Sequence, residues 1–419
     1  MRIRRAVILS GRNTFLTRTG AAEYLAGLAR ALGSQGIAVS ILFLDPPPAP
    51  MLRQRLHADY RALFETYRMR GTARLGGHLY VRDPARWWGR FRGASGAGPG
   101  VARPGPGLQF ARPDRAALDW AGGWMRRLRP DLVIANYFNA APALARAPQG
   151  ALRAILVHDV LALRRDSFAA TGAVPDFDPA LIAEEAVAFR AADLCLAIKE
   201  EEAAHIRSLA PEGRVAVYPV TLPAGQSDLD APRPPACIFV GGENPPNRAG
   251  LAWFLDSVWP ALRAARPALT LRVVGAVGRH LPEPLPAGVE RRGFAEDLAT
   301  EYAAAAVAVT PIPFGSGVKV KLIEALAEGL PVVSTRIGAE GVAPADPAVL
   351  RIADTAEDFA AGVLAALDAP DGAALRHAAR GFARTHHHAG TVAPRLVALL
   401  QDRAAASGAD RPILAKARS

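Results

Sequence analysis

For a chain of net charge +11, lysine is scarce: of 50 Lys and Arg residues only four are lysine, namely Lys199, Lys319, Lys321 and Lys416. Two of the four fall within three positions of each other, which marks that turn as one where an ammonium group is needed. Cysteine is rarer still. Cys195 and Cys237 lie in apolar, strand-like runs at no metal-binding or redox spacing. This excludes a disulfide framework and a cysteine-built metal site, and it fits buried thiols in a reducing, cytoplasmic protein. Aromatics make up 7% of the chain, so the core must be built from Ala, Val and Leu. No apolar run approaches the ~18 residues of a membrane span. The basic start Met1-Arg2-Ile3-Arg4-Arg5 is followed by only Ala6-Val7-Ile8-Leu9 before polar Ser10, too short for a signal-peptide core and read as a first buried strand.

Negative charge is also missing from one end. Residues 1–130 hold 22 arginines against seven acidic residues, a net of +15, while the other 289 residues net −4. The basic excess therefore points to an anionic partner for the N-terminal half. Nucleic acid, an acidic lipid surface and a phosphate-bearing acceptor are the candidates, with nucleic acid the least favoured. A merely solvated, arginine-rich surface is the alternative.

At 419 residues the chain has room for two α/β domains. Strand-like runs at Arg5–Ser10, Ile37–Leu44, Leu132–Ala135, Ala154–Val157 and Leu194–Ile198 alternate with helical patterns, the first from about Gly20 to Gln35. Residues 45–115 break this rhythm, and Gly93–Gly107 holds six Gly and three Pro, a composition expected to be mobile. Five prolines in 219–235 read as a linker. Alternation resumes at Ala236. A weak helical stretch over Arg384–Gly390 precedes a last helix near Thr391–Arg403. The expected organisation is 1–218 with a mobile, basic Gly/Pro-rich insertion at about 45–115, a linker at 219–235, a second domain at 236–385, and a terminal helix and tail at 386–419.

The most informative stretch is Pro311-Ile312-Pro313-Phe314-Gly315-Ser316-Gly317-Val318-Lys319-Val320-Lys321-Leu322-Ile323-Glu324. It reads as strand end, glycine loop and helix start, where backbone N–H groups and the helix dipole meet an anion, typically phosphate. Gly315 and Gly317 let the backbone approach closely, and Ser316 is placed to cap the helix. Lys321 and Glu324 lie about 60° apart on a helix and share a face. Lys321 suits a diphosphate, and Glu324 suits ribose hydroxyls. Lys319 joins them only if it stands in the non-helical entry. A plain glycine turn carrying a surface ion pair is the ordinary alternative.

In parallel α/β sheets ligands sit beyond the carboxyl ends of the strands. The loops Ser10–Gly20, with Gly20 opening the helix, and Phe314–Gly317 both lie there, as do His158 and Asp159 after the apolar run Ile155-Leu156-Val157. Arg164 and Arg165 follow. Three features are set aside. Asp176-Phe177-Asp178 imitates a metal motif, but Asp178-Pro179 reads as a helix N-cap and first position. Asp228-Leu229-Asp230 lies in the linker. His386-His387-His388 has no carboxylate or cysteine at ligand spacing and reads as surface. No motif calls for a metal or cofactor.

The glycine-loop stretch resembles the nucleotide-sugar site of the family-4 retaining glycosyltransferases, in the branch whose loop reads Gly-Ser-Gly-x-Lys/Arg-x-Lys-x-x-Glu-Ala. Phe239-Val240-Gly241-Gly242 with Asn244-Pro245-Pro246-Asn247, then Gly293-Phe294 with Asp297 and Tyr302, and Ile337-Gly338-Ala339-Glu340-Gly341 extend the resemblance over roughly 236–342. It implies an α/β GT-B fold, two Rossmann-like domains facing across a cleft, with the terminal helix crossing back to the first. It further implies a metal-independent transferase moving a sugar from a nucleoside diphosphate to a glycan or lipid-linked acceptor with retention of configuration, in cell-surface polysaccharide synthesis; the basic N-terminal half adds the expectation of a peripheral place at the inner membrane face. His158 would sit beside the transferred sugar, with Lys321 and Glu324 at the diphosphate and ribose. Asp159, Gly20, Gly241, Asn247, Phe294, Gly315, Ser316, Gly317 and Lys319 would line the substrate. The commoner family pattern has a glutamate where Ser316 stands. A sugar-nucleotide epimerase of the same fold, or a non-catalytic scaffold binding an anionic partner, are the other readings.

Overall fold

The computed structural model describes residues 2–11, 15, 19–47, 51–91, 111–210, 213–295 and 297–409. They fall into two compact units. The first joins Met1–Leu161, Pro175–Tyr218 and Ala393–Ser419; the second joins Ala162–Val174 and Pro219–Val392.

The first unit begins with β1 (Arg5–Ser10), α1 (Gly20–Ser34), β2 (Ala38–Phe43), β3 (Arg53–Gln54), α2 (Ala58–Arg61), β4 (Thr66–Met69), β5 (Thr72–Leu75), β6 (His78–Val81), α3 (Pro84–Phe91) and α4 (Arg115–Leu128). It continues with β7 (Leu132–Asn136), β8 (Leu152–Leu156), α5 (Leu161–Ala169, which passes into the second unit), α6 (Leu181–Ala191), β9 (Leu194–Ala197), α7 (Glu200–Leu209) and β10 (Val215–Val217). Seven strands form a parallel sheet in the order β10-β9-β8-β7-β1-β2-β4. Its central strands β1 and β7 are near-continuous apolar runs, almost wholly buried, because helices cover both faces of such a sheet. Caps fix the helix starts: Thr19 Oγ1 accepts the Ala22 N–H at 3.2 Å and Asp114 Oδ1 accepts the Ala117 N–H at 2.7 Å.

The expectation for residues 45–115 needs correction over 51–91. This stretch holds regular elements: β4 pairs in parallel with β2, and β3, β6 and β5 make a small antiparallel sheet. Gly76-Gly77 closes the β5–β6 hairpin as a two-residue turn, with Gly76 at φ 58°. Buried Tyr60, Tyr67, Met69 and Leu79 give the stretch a core that its break in βαβ rhythm concealed. The Gly93–Gly107 run lies outside the described residues.

The second unit comprises β11 (Ala236–Val240), α8 (Pro245–Trp253), α9 (Trp259–Ala265), β12 (Thr270–Val274), β13 (Val289–Gly293), α10 (Leu298–Ala303), β14 (Val307–Thr310), α11 (Val320–Ala327), β15 (Val332–Ser334), β16 (Leu350–Ile352), α12 (Ala356–Leu367) and α13 (Gly372–His387). A last helix, α14 (Ala389–Ala409), returns to the first unit's residues from Ala393. The sheet is parallel, in the order β13-β12-β11-β14-β15-β16. One apolar cluster, with Phe239, Phe254, Trp259 and Phe359, and another, with Ile238, Leu322, Leu326 and Val332, supply its core. Asn244 caps α8 by accepting the Asn247 N–H at 3.0 Å, and Pro245 and Pro246 occupy positions whose N–H groups a helix leaves unused. Helix α11 ends in a Schellman turn: Gly329, at φ 83°, donates to Leu326 O and Leu330 donates to Ala325 O.

Three local expectations are corrected here. Helix α13 runs unbroken to His387, so Arg384–His387 is not a weak segment. His387 is not a surface residue: it is 3% exposed and its Nδ1 meets Val220 O at 2.9 Å, with burial lowering its pKa to about 4. Asp178 does not cap α6 directly. Its carboxylate accepts the Ala180 N–H in a turn that precedes the helix start at Leu181.

Gly250, inside α8, lies against the backbone at Pro311, which leads from β14 into the glycine loop; a Cβ there would overlap the Pro311 carbonyl. Alanine is favoured over glycine in a helix by about 1 kcal/mol. Gly250→Ala should nevertheless destabilise the protein by about 1–3 kcal/mol, as overpacking does. A lower urea midpoint at unchanged slope is the expected reading; a stabilised protein would show that the approach is not tight.

Candidate functional site

In the second unit the candidate residues converge around the C-terminal ends of β11 and β14. Lys321, on the first turn of α11, donates from Nζ to Asn247 Oδ1 at 2.7 Å and lies 4.5 Å from the centre of the Phe239 ring. Asn247 is held in turn, donating from Nδ2 to Gly242 O at 3.0 Å. Gly241 leaves the space this needs, since a Cβ there would come within 2.9 Å of Phe239 and 3.2 Å of Asn247. Among the described residues Lys321 makes no ion pair. Burial, and then the neighbouring charge of Lys319, lower its pKa to about 7, while Glu324 acts to raise it.

Glu324 stands one turn along α11 from Lys321, where the Tyr302 hydroxyl donates to Lys321 O at 3.2 Å and reaches Glu324 Oε2 at 3.4 Å. Lys319 is non-helical (φ −85°, ψ 89°), as its expected role required. Its ammonium, however, turns back onto the loop, donating to Gly317 O at 2.8 Å and Ser316 O at 3.3 Å. Lys319 therefore braces the loop and Lys321 presents the charge. Ser316 does not cap α11, because the helix starts only at Val320 and the residue in its cap position is Lys319, whose side chain makes no capping bond. Gly315 (φ 120°) and Gly317 (φ 69°) adopt conformations that side chains rarely reach. Phe294 follows β13 and is 70% exposed.

Sequence reasoning missed Ser167. Its hydroxyl accepts the Gly315 N–H at 2.9 Å and donates to Gly315 O at 3.1 Å, and the adjacent Phe168 packs edge-on against Phe314 at 5.1 Å. Nothing in the sequence signalled a contact across 148 positions.

In the first unit His158 follows β8 and is buried. Its Nε2 lies 2.6 Å from Asn136 Oδ1, while Asn136 Nδ2 donates to Ser10 Oγ at 3.1 Å. This chain assigns the proton to Nε2 and leaves Nδ1 as an acceptor. Tyr137 stacks on the ring at 3.9 Å and Tyr24 meets its edge at 5.0 Å. Burial drives the imidazole's pKa down to about 3 against the opposing charge of Asp159, so the ring is neutral. Asn136 and Tyr137 were readable as the polar end of an apolar strand. Asp159 follows His158 and is half-buried, and Gly20 begins α1 in an exposed position.

Residues 234–369 match the family Glycosyl transferases group 1. An uncharacterized 44.6 kDa protein in the cps region of Klebsiella pneumoniae is 31% identical over 115 residues, which is 25% of this chain and 30% of that relative's length. Among solved structures, sucrose-phosphate synthase from Thermosynechococcus elongatus is 17% identical with a TM-score of 0.65, over 96% of this chain and 100% of that one. Anabaena HepE in complex with UDP and glucose is 14% identical with a TM-score of 0.62, over 94% and 99%. The fold is GT-B, and the stretch that matches the group 1 model lies within the second unit.

Buried Glu185, on α6, accepts the Leu161 N–H at 3.0 Å. Burial, and then the charge of Asp159, push its pKa up to about 9. The folded state therefore holds this proton between about 4.5 and 9, and the wild type loses stability as pH rises through that window. Glu185→Gln keeps the acceptor oxygen without the charge. It should be more stable than wild type by about 1–3 kcal/mol at pH 8, with the gap closing near pH 4.5. Denaturation curves at both pH values check this; a gap independent of pH would contradict it.

Proposed function

We propose that this protein is a retaining, metal-independent glycosyltransferase that moves a sugar from a nucleoside-diphosphate donor to a glycan or lipid-linked acceptor in cell-surface polysaccharide synthesis. The second unit binds the donor and the first the acceptor. The observation that carries this reading is Lys321: a part-buried ammonium held by two neutral partners, with no ion pair among the described residues, beside a glycine loop. Such a cation has N–H donors and charge in reserve for a diphosphate. As the glycosidic bond breaks, negative charge grows on the leaving diphosphate, and a fixed cation there favours the transition state over the ground state. The acceptor oxygen forms its bond to the anomeric carbon on the face the diphosphate leaves, and the acceptor proton passes to a departing phosphate oxygen. No protein nucleophile is then required. His158, neutral and accepting at Nδ1, suits a sugar hydroxyl.

Glu324 is assigned to the ribose hydroxyls, and Gly241, Asn247, Phe294, Gly315, Ser316 and Gly317 to the donor's surroundings. Gly20 and Asp159 belong to the first unit's share of the substrate site. The solved complex of HepE with UDP-glucose supports a UDP-sugar donor. The cps-region location of the Klebsiella relative supports the polysaccharide role. No helix among the described residues is long and apolar enough to cross a membrane. Two buried, free cysteines are compatible with a cytoplasmic protein at the membrane face.

Lys321→Ala should weaken UDP binding and slow transfer by roughly 10²-fold. Because the free ammonium titrates at about 7 and a bound diphosphate would raise that value, wild-type affinity should fall as pH rises above 7, by at most about tenfold per unit. Lys321→Ala should lose this slope. Calorimetric titration of UDP at pH 6.5 and 8.5 reads both effects, and equal affinity for wild type and variant would remove Lys321 from the site. Glu324→Gln should weaken UDP by about 1.5–3 kcal/mol, the loss of a charge-assisted hydrogen bond, while leaving inorganic pyrophosphate unaffected. A variant that binds UDP as tightly as wild type would refute the ribose role.

A further inference from the structure

A second concave site lies between the edge strand β4 and helix α4. This cavity of about 520 Å³ is lined by Arg68, Arg74, Arg82, Arg127, Trp120 and Trp124, with no acidic residue in its wall. Trp120, Trp124 and Arg127 fall on one face of α4, at intervals of four and three. Arg68 points from the face of β4 opposite to buried Tyr67 and Met69. The Arg68 guanidinium lies 4.8 Å from the centre of the Trp124 ring and that of Arg127 5.2 Å from it, so one indole holds two cations in place. Arg74 lies over the Tyr67 ring at 4.1 Å. Among the described residues none of these four guanidiniums forms an ion pair, whereas Arg70, just after β4, pairs with Asp114 at 3.0 Å. Burial, followed by the charge of Arg74, lowers the pKa of Arg68, as expected where like charges gather without a counterion.

Like charges held together by aromatic rings, without acids to neutralise them, await an anion. The four cations come from four different segments around a cavity of small-ligand size, which fits a ligand that carries several carboxylates. Half-buried Trp120 offers an apolar wall of the kind on which a sugar ring can rest. In the sheet order β4 stands four strand spacings from β8, about 19 Å, so the cavity is separate from the surroundings of His158. We propose that this cavity binds a carboxylate-bearing saccharide as a remote part of the acceptor; the assignment to the acceptor rests on the transferase reading above.

The test uses the full chain and two arginines that are exposed. In calorimetry at low salt, trigalacturonate should bind wild type and the neutral maltotriose should not. Arg74→Gln/Arg127→Gln should weaken trigalacturonate at least tenfold and leave UDP affinity unchanged, which separates failure of this cavity from failure of the donor site. Absence of trigalacturonate binding to wild type, or equal binding to the double variant, would overturn the proposal. So would adsorption to phosphatidylglycerol vesicles that the double variant loses while the saccharide binds neither protein, since the surface would then serve lipid.

Discussion

The hydrogen bond from Lys321 to Asn247, over the face of Phe239, is the contact around which the glycine-loop end of the second unit is arranged. A part-buried ammonium is costly unless its donors and charge are met, and here, among the described residues, only neutral groups touch it while the Glu324 carboxylate stands one turn away. The local backbone is shaped around this arrangement. Gly241 clears the space, the Asn244 cap and its two prolines set the start of α8, and Gly250 allows that helix against the root of the loop. Lys319 and Ser167 then hold the loop from either side of Gly315 and Gly317. The two clustered lysines thus divide the work between shape and charge.

The first unit follows another logic. Past the end of β8 it gathers groups held neutral by burial: His158, which keeps an open acceptor nitrogen, and Glu185 of α6, which keeps its proton and meets the Leu161 N–H. Neutral, oriented donors and acceptors suit hydroxyl-rich ligands, where a fixed charge would demand a counterion. Four arginines of that unit gather elsewhere, around the cavity at β4 and α4.

Much of this was legible in the sequence, for identifiable reasons. Strands such as Arg5–Ser10 and Leu132–Asn136 announce themselves as apolar runs because both faces of a parallel sheet are buried. The glycine loop and its lysines were visible because rare residue types carry more information than common ones. What stayed hidden was tertiary. The partnership of Ser167 with Gly315, the acid at Glu185 and the burial of His387 depend on contacts between distant segments, which no periodicity encodes. Residues 51–91 were misread because a small antiparallel sheet built on Gly71 and Gly76 turns does not follow the βαβ rhythm of its surroundings.

The central claim is that Lys321 and the glycine loop together hold a diphosphate. A crystal structure of the full chain with UDP tests it most directly. The account predicts diphosphate oxygens within hydrogen-bonding distance of Lys321 Nζ and of backbone N–H groups between Ser316 and Lys321, with the ribose hydroxyls on Glu324. UDP bound elsewhere on the chain, with Lys321 still engaged only by Asn247 and Phe239, would contradict it.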